Sequence, residues 1–257
     1  MSFNLFRFPP VPYNYHVTYT TLFFDLDDTL YPPQNGVWTA IRERMNLYMR
    51  EKLCLPPDQI PNLRRYYYET YGTTLRGLQI HYQVDPNDFL AFVHDLPIRE
   101  MVQPDPKLGE MLASLPQRKF IFTNADSAHA SRILDALGVQ GCFDGMIDVR
   151  ALDFQCKPDP IAYRMALSLA GETLPQRCVY LDDSLRNLAP ARELGFFTIL
   201  IGANQDHSAV DCAMLRPHEL PRVMPELWLD DHRHPGTVAS MRQGGARQRE
   251  KNGEHDG

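Results

Sequence analysis

The run Thr21-Leu22-Phe23-Phe24-Asp25-Leu26-Asp27-Asp28-Thr29 sets two carboxylates, spaced i, i+2, directly after a continuous apolar segment. Aromatic and aliphatic residues without polar alternation predict a strand buried on both faces. Carboxylates at the mouth of such a strand lose hydration and repel one another. The pattern therefore calls for a cation, a phosphate-bearing ligand, or both beside them.

The chain has 257 residues, enough for one large domain or one domain with an insertion. Its net charge of −6 argues against nucleic acid or an anionic membrane as a partner, so an anionic ligand must be met by local positive charge. Pro9, Pro10 and Pro12 interrupt the N-terminus, and no apolar stretch approaches the length of a membrane span. Cys54, Cys142, Cys156, Cys178 and Cys212 are scattered without CxxC spacing, which predicts reduced thiols and a cytoplasmic location.

Further strands are predicted at Lys119–Thr123, Gly145–Val149, Cys178–Leu181 and Phe197–Ile201. Between them lie segments with apolar residues at helical spacing, three of which end at Gly138, Gly171 and Gly195. This alternation predicts βαβ units, a mostly parallel sheet, and ligands at the carboxyl ends of its strands. Residues from Val37 to about Gln103 break the pattern and read as helices punctuated by proline. Trp38, Ile41, Met45, Tyr48 and Met49 share one face, while Leu63, Tyr66 and Tyr67 suggest another. Such an insertion reads as a lid or as an extension of the core. From Asp230 onward apolar residues become too sparse to offset ordering, and a disordered tail is expected there, His232 and His234 included.

The predicted strand ends carry related chemistry: Asp25 and Asp27, then Thr123-Asn124, then Cys156-Lys157-Pro158 before a helix, then Asp182-Asp183-Ser184. Each alone would be an ordinary cap or turn. Together, in order, they resemble the haloacid dehalogenase-like hydrolase superfamily, whose pattern is DxDxT, a Ser or Thr, a Lys, and an acidic pair. The resemblance runs from about Thr20 to Gly202.

It implies a Rossmann-like, three-layer α/β core with a parallel sheet and an inserted α-helical cap of the C1 type. The expected division is an N-terminal extension (1–17), a discontinuous core (18–36 and 104–229), a cap (37–103) and a tail (230–257). It also implies a phosphatase that works through an aspartyl-phosphate, with Asp25 as nucleophile and Asp27 as general acid and base, helped by a neighbouring carboxylate that raises its pKa. Thr123 and Asn124 would donate to the phosphoryl oxygens, and Lys157 would offset charge. The expected Mg²⁺ ligands are Asp25, the Asp27 carbonyl and Asp183, with Asp182 and Asn187 orienting the site or holding metal-bound waters. Dehalogenase members lack an acid at the position of Asp27, which favours phosphomonoester over carbon–halogen hydrolysis.

Asp27–Pro32, Tyr71–Leu78 and Phe122–Ala125 resemble the pyrimidine 5′-nucleotidase branch. The implied substrate is a nucleoside monophosphate such as UMP or CMP, or a related compound, for a monomeric or homodimeric enzyme. Arg76 is a candidate substrate contact, and Tyr66, Tyr67, Tyr68 and Tyr71 are a candidate stacking wall. His81 and His94 receive no role. A phosphatase of phosphoglycolate, sugar phosphates, pyridoxal phosphate or FMN shares the same core motifs. A receiver-like domain would place its acidic pair before its phosphorylated Asp, the reverse of the order here. A non-catalytic scaffold is disfavoured because every expected catalytic residue is present.

Overall fold

The computed structural model describes residues 18–203 and 207–229. The expected N-terminal extension and tail lie outside them. Six strands form one parallel sheet in the order β3-β2-β1-β4-β5-β6. They are β1 (Thr21–Phe24), β2 (Arg118–Phe122), β3 (Gly145–Ile147), β4 (Cys178–Asp182), β5 (Phe197–Ile201) and β6 (Cys212–Met214). All four residues of β1 are buried, and the strand pairs with β2 on one side and β4 on the other. The chain leaves β1 toward β2 and β3, then returns to the opposite side at β4. That reversal opens a crevice at the carboxyl ends of β1, β2 and β4.

Alternate residues of β1 feed different layers, as a strand's two-residue period requires. Leu22 and Phe24 join a core with Ile121, Val179, Leu181 and Ile199 on one face. Phe23 joins Phe122, Tyr180 and Leu200 on the other. The first face is covered by α6 (Pro106–Ser114), α7 (Ser127–Leu137) and α10 (Leu220–Val223), and the second by α8 (Pro160–Leu169) and α9 (Leu185–Leu194). The three-layer Rossmann-like arrangement is thus present. β6 was not predicted: it has three residues, only one of them buried, and shows no strand-length apolar run.

Between β1 and α6 lie α1 (Val37–Glu51), α2 (Ile60–Tyr71), α3 (Thr74–Tyr82), α4 (Pro86–Val93) and the single turn α5 (Ile98–Met101). The prolines here mostly start helices. Pro61, Pro86 and Pro106 occupy first-turn positions of α2, α4 and α6, where a missing N–H costs nothing. Thr73, Asp85 and Asp105 accept N-terminal N–H groups of α3, α4 and α6.

The insertion has its own core of Tyr48, Met49, Ile60, Tyr67, Leu75, Leu78, Phe89, Leu90 and Val93. Val37, Ile41, Ile98 and Val102 pack instead with the sheet, so α1 runs from one core into the other, with Met45 against both. Trp38 and Tyr66, expected on the buried faces, are 39% and 50% exposed. Hydrophobic spacing does not show which aromatic a helix turns toward its partner.

Gly77 sets the separation of α2 and α3: a Cβ there would lie 2.2 Å from Cγ of buried Tyr67. Gly77→Ala is expected to destabilise the protein by about 1–3 kcal/mol through overpacking. Urea unfolding would check this, and an unchanged midpoint would refute it.

Candidate active site

Asp25 extends β1 by one residue, its N–H donating to Leu181 O at 2.9 Å. The chain then turns, with Thr29 and Leu30 N–H both on Leu26 O and Asp28 at φ 61°. The turn returns the Thr29 hydroxyl to Asp25 Oδ2 at 3.1 Å, where it also accepts the Asp183 N–H at 3.0 Å. Thr29 therefore ties the first strand end to the fourth.

Lys157, 1% exposed, occupies the space between them. Its Nζ lies 2.6 Å from Asp25 Oδ1, 2.8 Å from Phe122 O, 3.0 Å from the Tyr180 hydroxyl and 3.1 Å from Asp182 Oδ2. Asn124 holds the Lys157 backbone from both sides: its Nδ2 donates to Lys157 O at 3.0 Å and its Oδ1 accepts Lys157 N–H at 2.9 Å. The Asn124 side chain, expected on the substrate, is thus engaged on the lysine loop. Thr123 is 2% exposed, and its hydroxyl accepts the Ala125 N–H at 3.0 Å.

Asp182 is fully buried and accepts from Lys157, the Tyr180 hydroxyl, Ser184 N–H and Asn187 Nδ2. Its lone pairs are largely committed, which suits it to fixing Lys157 in place. Oxygens of Asp25, Asp182 and Asp183 lie within 4.8 Å of one another. Burial pushes Asp183 up to about 7, with Asp182 and Asp28 adding to the effect against Lys157. Burial likewise raises Asp25, Lys157 opposes the shift, and Asp182 and Asp183 reinforce it. One ammonium among three carboxylates leaves negative charge uncompensated. An all-oxygen donor set of this kind fits a hard divalent cation.

Asp27 has unexpected partners. Its Oδ1 lies 2.8 Å from Nε2 of fully buried His129 and accepts from the Tyr31 hydroxyl. Burial would raise its pKa, but the charge and hydrogen bond of His129, with the Tyr31 hydrogen bond, bring it below the ordinary value. The expected neighbouring carboxylate that would raise it is therefore replaced by a histidine and a tyrosine that lower it. The Asp27 side chain also stands apart from the acidic triad. His129 stacks on His94 at 4.3 Å between centroids, and His94 Nδ1 lies 3.2 Å from Asp126 Oδ1. His94, without a role in the sequence, links the insertion through His129 to Asp27. His81 instead meets the Tyr71 hydroxyl at 2.8 Å. No local pattern marks these groups, because His129 and Asp27 stand 102 residues apart in the chain, His94 and Asp126 32 apart, and they meet only through the fold.

These groups open on a cavity of about 540 Å³, lined among others by Asp25, Asp27, Thr123, Asn124, Lys157, Asp183 and Asn187. That volume is in the usual range for a small-molecule site. The insertion supplies Trp38, Arg42, Arg64, Arg65, Tyr68 and the Gly72–Leu75 segment. Arg76 is not among the lining residues, and of the four tyrosines Tyr68 alone is. Tyr67 is buried in the insertion's core. Gly72 allows the insertion to approach the lysine loop: at φ 87°, an added Cβ would sit 2.9 Å from Lys157 O and from Cys156 Sγ.

The family model for haloacid dehalogenase-like hydrolases matches residues 19–195. The chain belongs to this family. It is 29% identical over 187 residues to Phosphate metabolism protein 8 of Saccharomyces cerevisiae, covering 67% of this chain and 58% of that relative. The chain thus spans a little over half the length of that relative. Solved structures with the same fold include CbbY from Rhodobacter sphaeroides in complex with phosphate (19% identity, TM-score 0.56, 79% of this chain and 96% of that one). A phosphatase from Thermococcus onnurineus is similar at 18% identity, TM-score 0.54, and 79% and 96% coverage. L-2-haloacid dehalogenase from Xanthobacter autotrophicus follows at 15%, 0.52, and 80% and 98%.

The carboxylate behind His94 and His129 carries a pH dependence of its own. Burial would raise Asp126, but hydrogen bonds from His94 and from the His129 backbone hold it well below the ordinary carboxylate range, with Arg150 3.7 Å away. Its contribution to stability is present above the unfolded value near 4 and is lost as pH falls from there toward the depressed folded value. Asp126→Asn keeps an oxygen for capping α7 and removes the charge. It is expected to flatten the loss of stability between about pH 4 and pH 2. Urea titrations across that range would show it, and identical acid limbs would refute it.

Proposed function

We propose that this hydrolase is a Mg²⁺-dependent phosphomonoesterase acting through an aspartyl-phosphate on Asp25, with pyrimidine nucleoside 5′-monophosphates such as UMP and CMP as its substrate class. The observation that carries the reading is the placement of two carboxylates with different partners in one cavity: Asp25 against Lys157, and Asp27 against His129. An environment that separates two acids in this way assigns them different tasks.

Residues 37–103 serve as a cap over the core formed by 18–36 and 104–229. Substrate phosphate enters beside Thr123 and Lys157, which meet its oxygens and offset its charge. An Asp25 oxygen attacks phosphorus, the bond from phosphorus to the alcohol oxygen breaks, and Asp27 delivers a proton to the departing alkoxide. Asp27 then takes a proton from water as the water oxygen attacks phosphorus, releasing phosphate and restoring the Asp25 carboxylate. His129 and Tyr31 favour ionised Asp27, which suits the second step. Asn124 acts through the Lys157 backbone. Asp25, Asp183 and the Asp27 carbonyl would hold Mg²⁺, with Asp182 and Asn187 orienting the site. The ion would supply charge compensation for attack by one anion on another.

The nucleotidase reading is supported by the Gly72–Leu75 segment, part of the stretch that resembles the pyrimidine branch, which lines the cavity. The yeast relative, a phosphate metabolism protein, and the CbbY structure in complex with phosphate accord with phosphate chemistry. The test is phosphate release from UMP and CMP beside phosphoglycolate, sugar phosphates, pyridoxal phosphate and FMN, with and without EDTA. Preference for the pyrimidine nucleotides and loss of turnover in EDTA are expected. Equal rates across the panel would remove the nucleotidase assignment, and EDTA-resistant turnover the metal. Asp25→Asn should abolish turnover, whereas Asp27→Asn should slow it by roughly 10²–10⁴ and accumulate phosphoenzyme.

A further inference from the structure

Three arginines of the insertion, Arg42 on α1 and Arg64 and Arg65 on α2, line the cavity that holds Asp25 and Lys157. Their polar partners are neutral. Arg42 Nη2 donates to Thr39 Oγ1 at 3.1 Å, Arg65 Nη2 to Asn62 Oδ1 at 2.7 Å, and Arg64 Nη1 to Arg42 O at 3.4 Å. Among the described residues none of the three forms an ion pair. Arg64 is half-buried, and its Nε is buried with no hydrogen-bond partner. A guanidinium N–H left unpaired in a cavity wall carries a desolvation cost that a bound acceptor would relieve.

A neighbouring cation adds to that cost. Burial lowers the pKa of Arg64, and the charge of Arg42 lowers it further. The facing carboxylate is Asp28, whose Oδ1 is also buried without a partner. In a chain of net charge −6, arginines gathered without acidic partners mark a local reversal of sign. A planar fork of N–H donors matches the two oxygens of a carboxylate or phosphate.

We propose that Arg42 and Arg64 form an anion subsite on the insertion side of the cavity, selecting phosphomonoesters whose leaving group carries a second anionic group, a carboxylate or a phosphate. The subsite rests on the phosphomonoesterase reading and narrows the substrate class within it. Among pyrimidine nucleotides it singles out one whose base bears a carboxylate. Trp38, 39% exposed on the same wall, offers a ring face to such a leaving group.

The test compares matched ligands that differ in the second anion: glycerol 3-phosphate with 3-phosphoglycerate, glucose 6-phosphate with glucose 1,6-bisphosphate, and UMP with orotidine 5′-monophosphate. Calorimetric Kd values are measured on full-length Asp25→Asn protein with Mg²⁺, alone and combined with Arg64→Gln, Arg64→Lys or Arg42→Gln. In at least one pair the more anionic member is expected to bind about tenfold tighter or better. Either Gln variant should close that gap, and Arg64→Lys should restore part of it. Thermal melts identify any variant that has lost its fold, and the other Gln variant then decides. Equal Kd within all three pairs, or a gap that survives both Gln variants, overturns the subsite. Turnover by the unmutated protein is read separately. Hydrolysis of these esters together with equal Kd within all three pairs removes the subsite and keeps the phosphomonoesterase. A binding gap without hydrolysis of any of the six overturns the phosphomonoesterase reading, and with it the substrate class assigned here.

Discussion

A buried ammonium holds this site together. Lys157 Nζ touches Asp25, Asp182, the Tyr180 hydroxyl and the Phe122 carbonyl, and so joins the ends of β1, β2 and β4 at one point. A lysine buried this deeply is tolerated only when its charge is matched and its hydrogens are bonded. The rest of the local structure follows from that demand. Asn124 clamps the lysine backbone, Asp182 is saturated by its own donors, and Thr29 fastens Asp25 to the acidic loop. Yet one cation cannot neutralise Asp25, Asp182 and Asp183, and the surplus is where a divalent ion fits.

The insertion reaches this centre from several directions. Arg186 of α9 donates to the carbonyls of Tyr68 and Glu69 at 2.7 and 2.9 Å and lies 4.4 Å over the Tyr68 ring. Arg132 of α7 donates to His94 O at 2.6 Å, and Gly72 abuts the lysine loop. α1 shares its apolar face between the two cores. The helices that shape the far wall of the cavity are thus anchored to the elements that carry the chemistry. Through His94 and His129 the anchoring extends to Asp27 itself.

Much of the core was legible because its signals are local. A run such as Leu22-Phe23-Phe24 ending in carboxylates, or a Thr-Asn following Phe122, needs only its neighbours to be read. The parallel sheet then brings those ends together by rule. β6 was missed because its three residues lack a periodic pattern, and Trp38 and Tyr66 were turned wrongly because helical spacing leaves the direction of the partner undefined. Arg76 is suggested by a motif, whereas Arg42 of α1 and Arg64 of α2 are the arginines that line the cavity with Arg65. Nothing in the chain near either residue marks that position.

The sequence by itself determined the architecture of alternating strands and helices, the inserted helices, and the set of acidic, hydroxyl and lysine side chains at the strand ends. Each of these is written in contiguous residues. Only the tertiary structure decided what surrounds them: His129 and Tyr31 on Asp27, Asn124 on the lysine backbone, and arginines that form no ion pair among the described residues on the insertion's side of the cavity. Those partners come from elements separated by tens of residues. The physical reason is that electrostatic environment depends on distance in space, which the order of residues along a chain does not encode until the chain is packed.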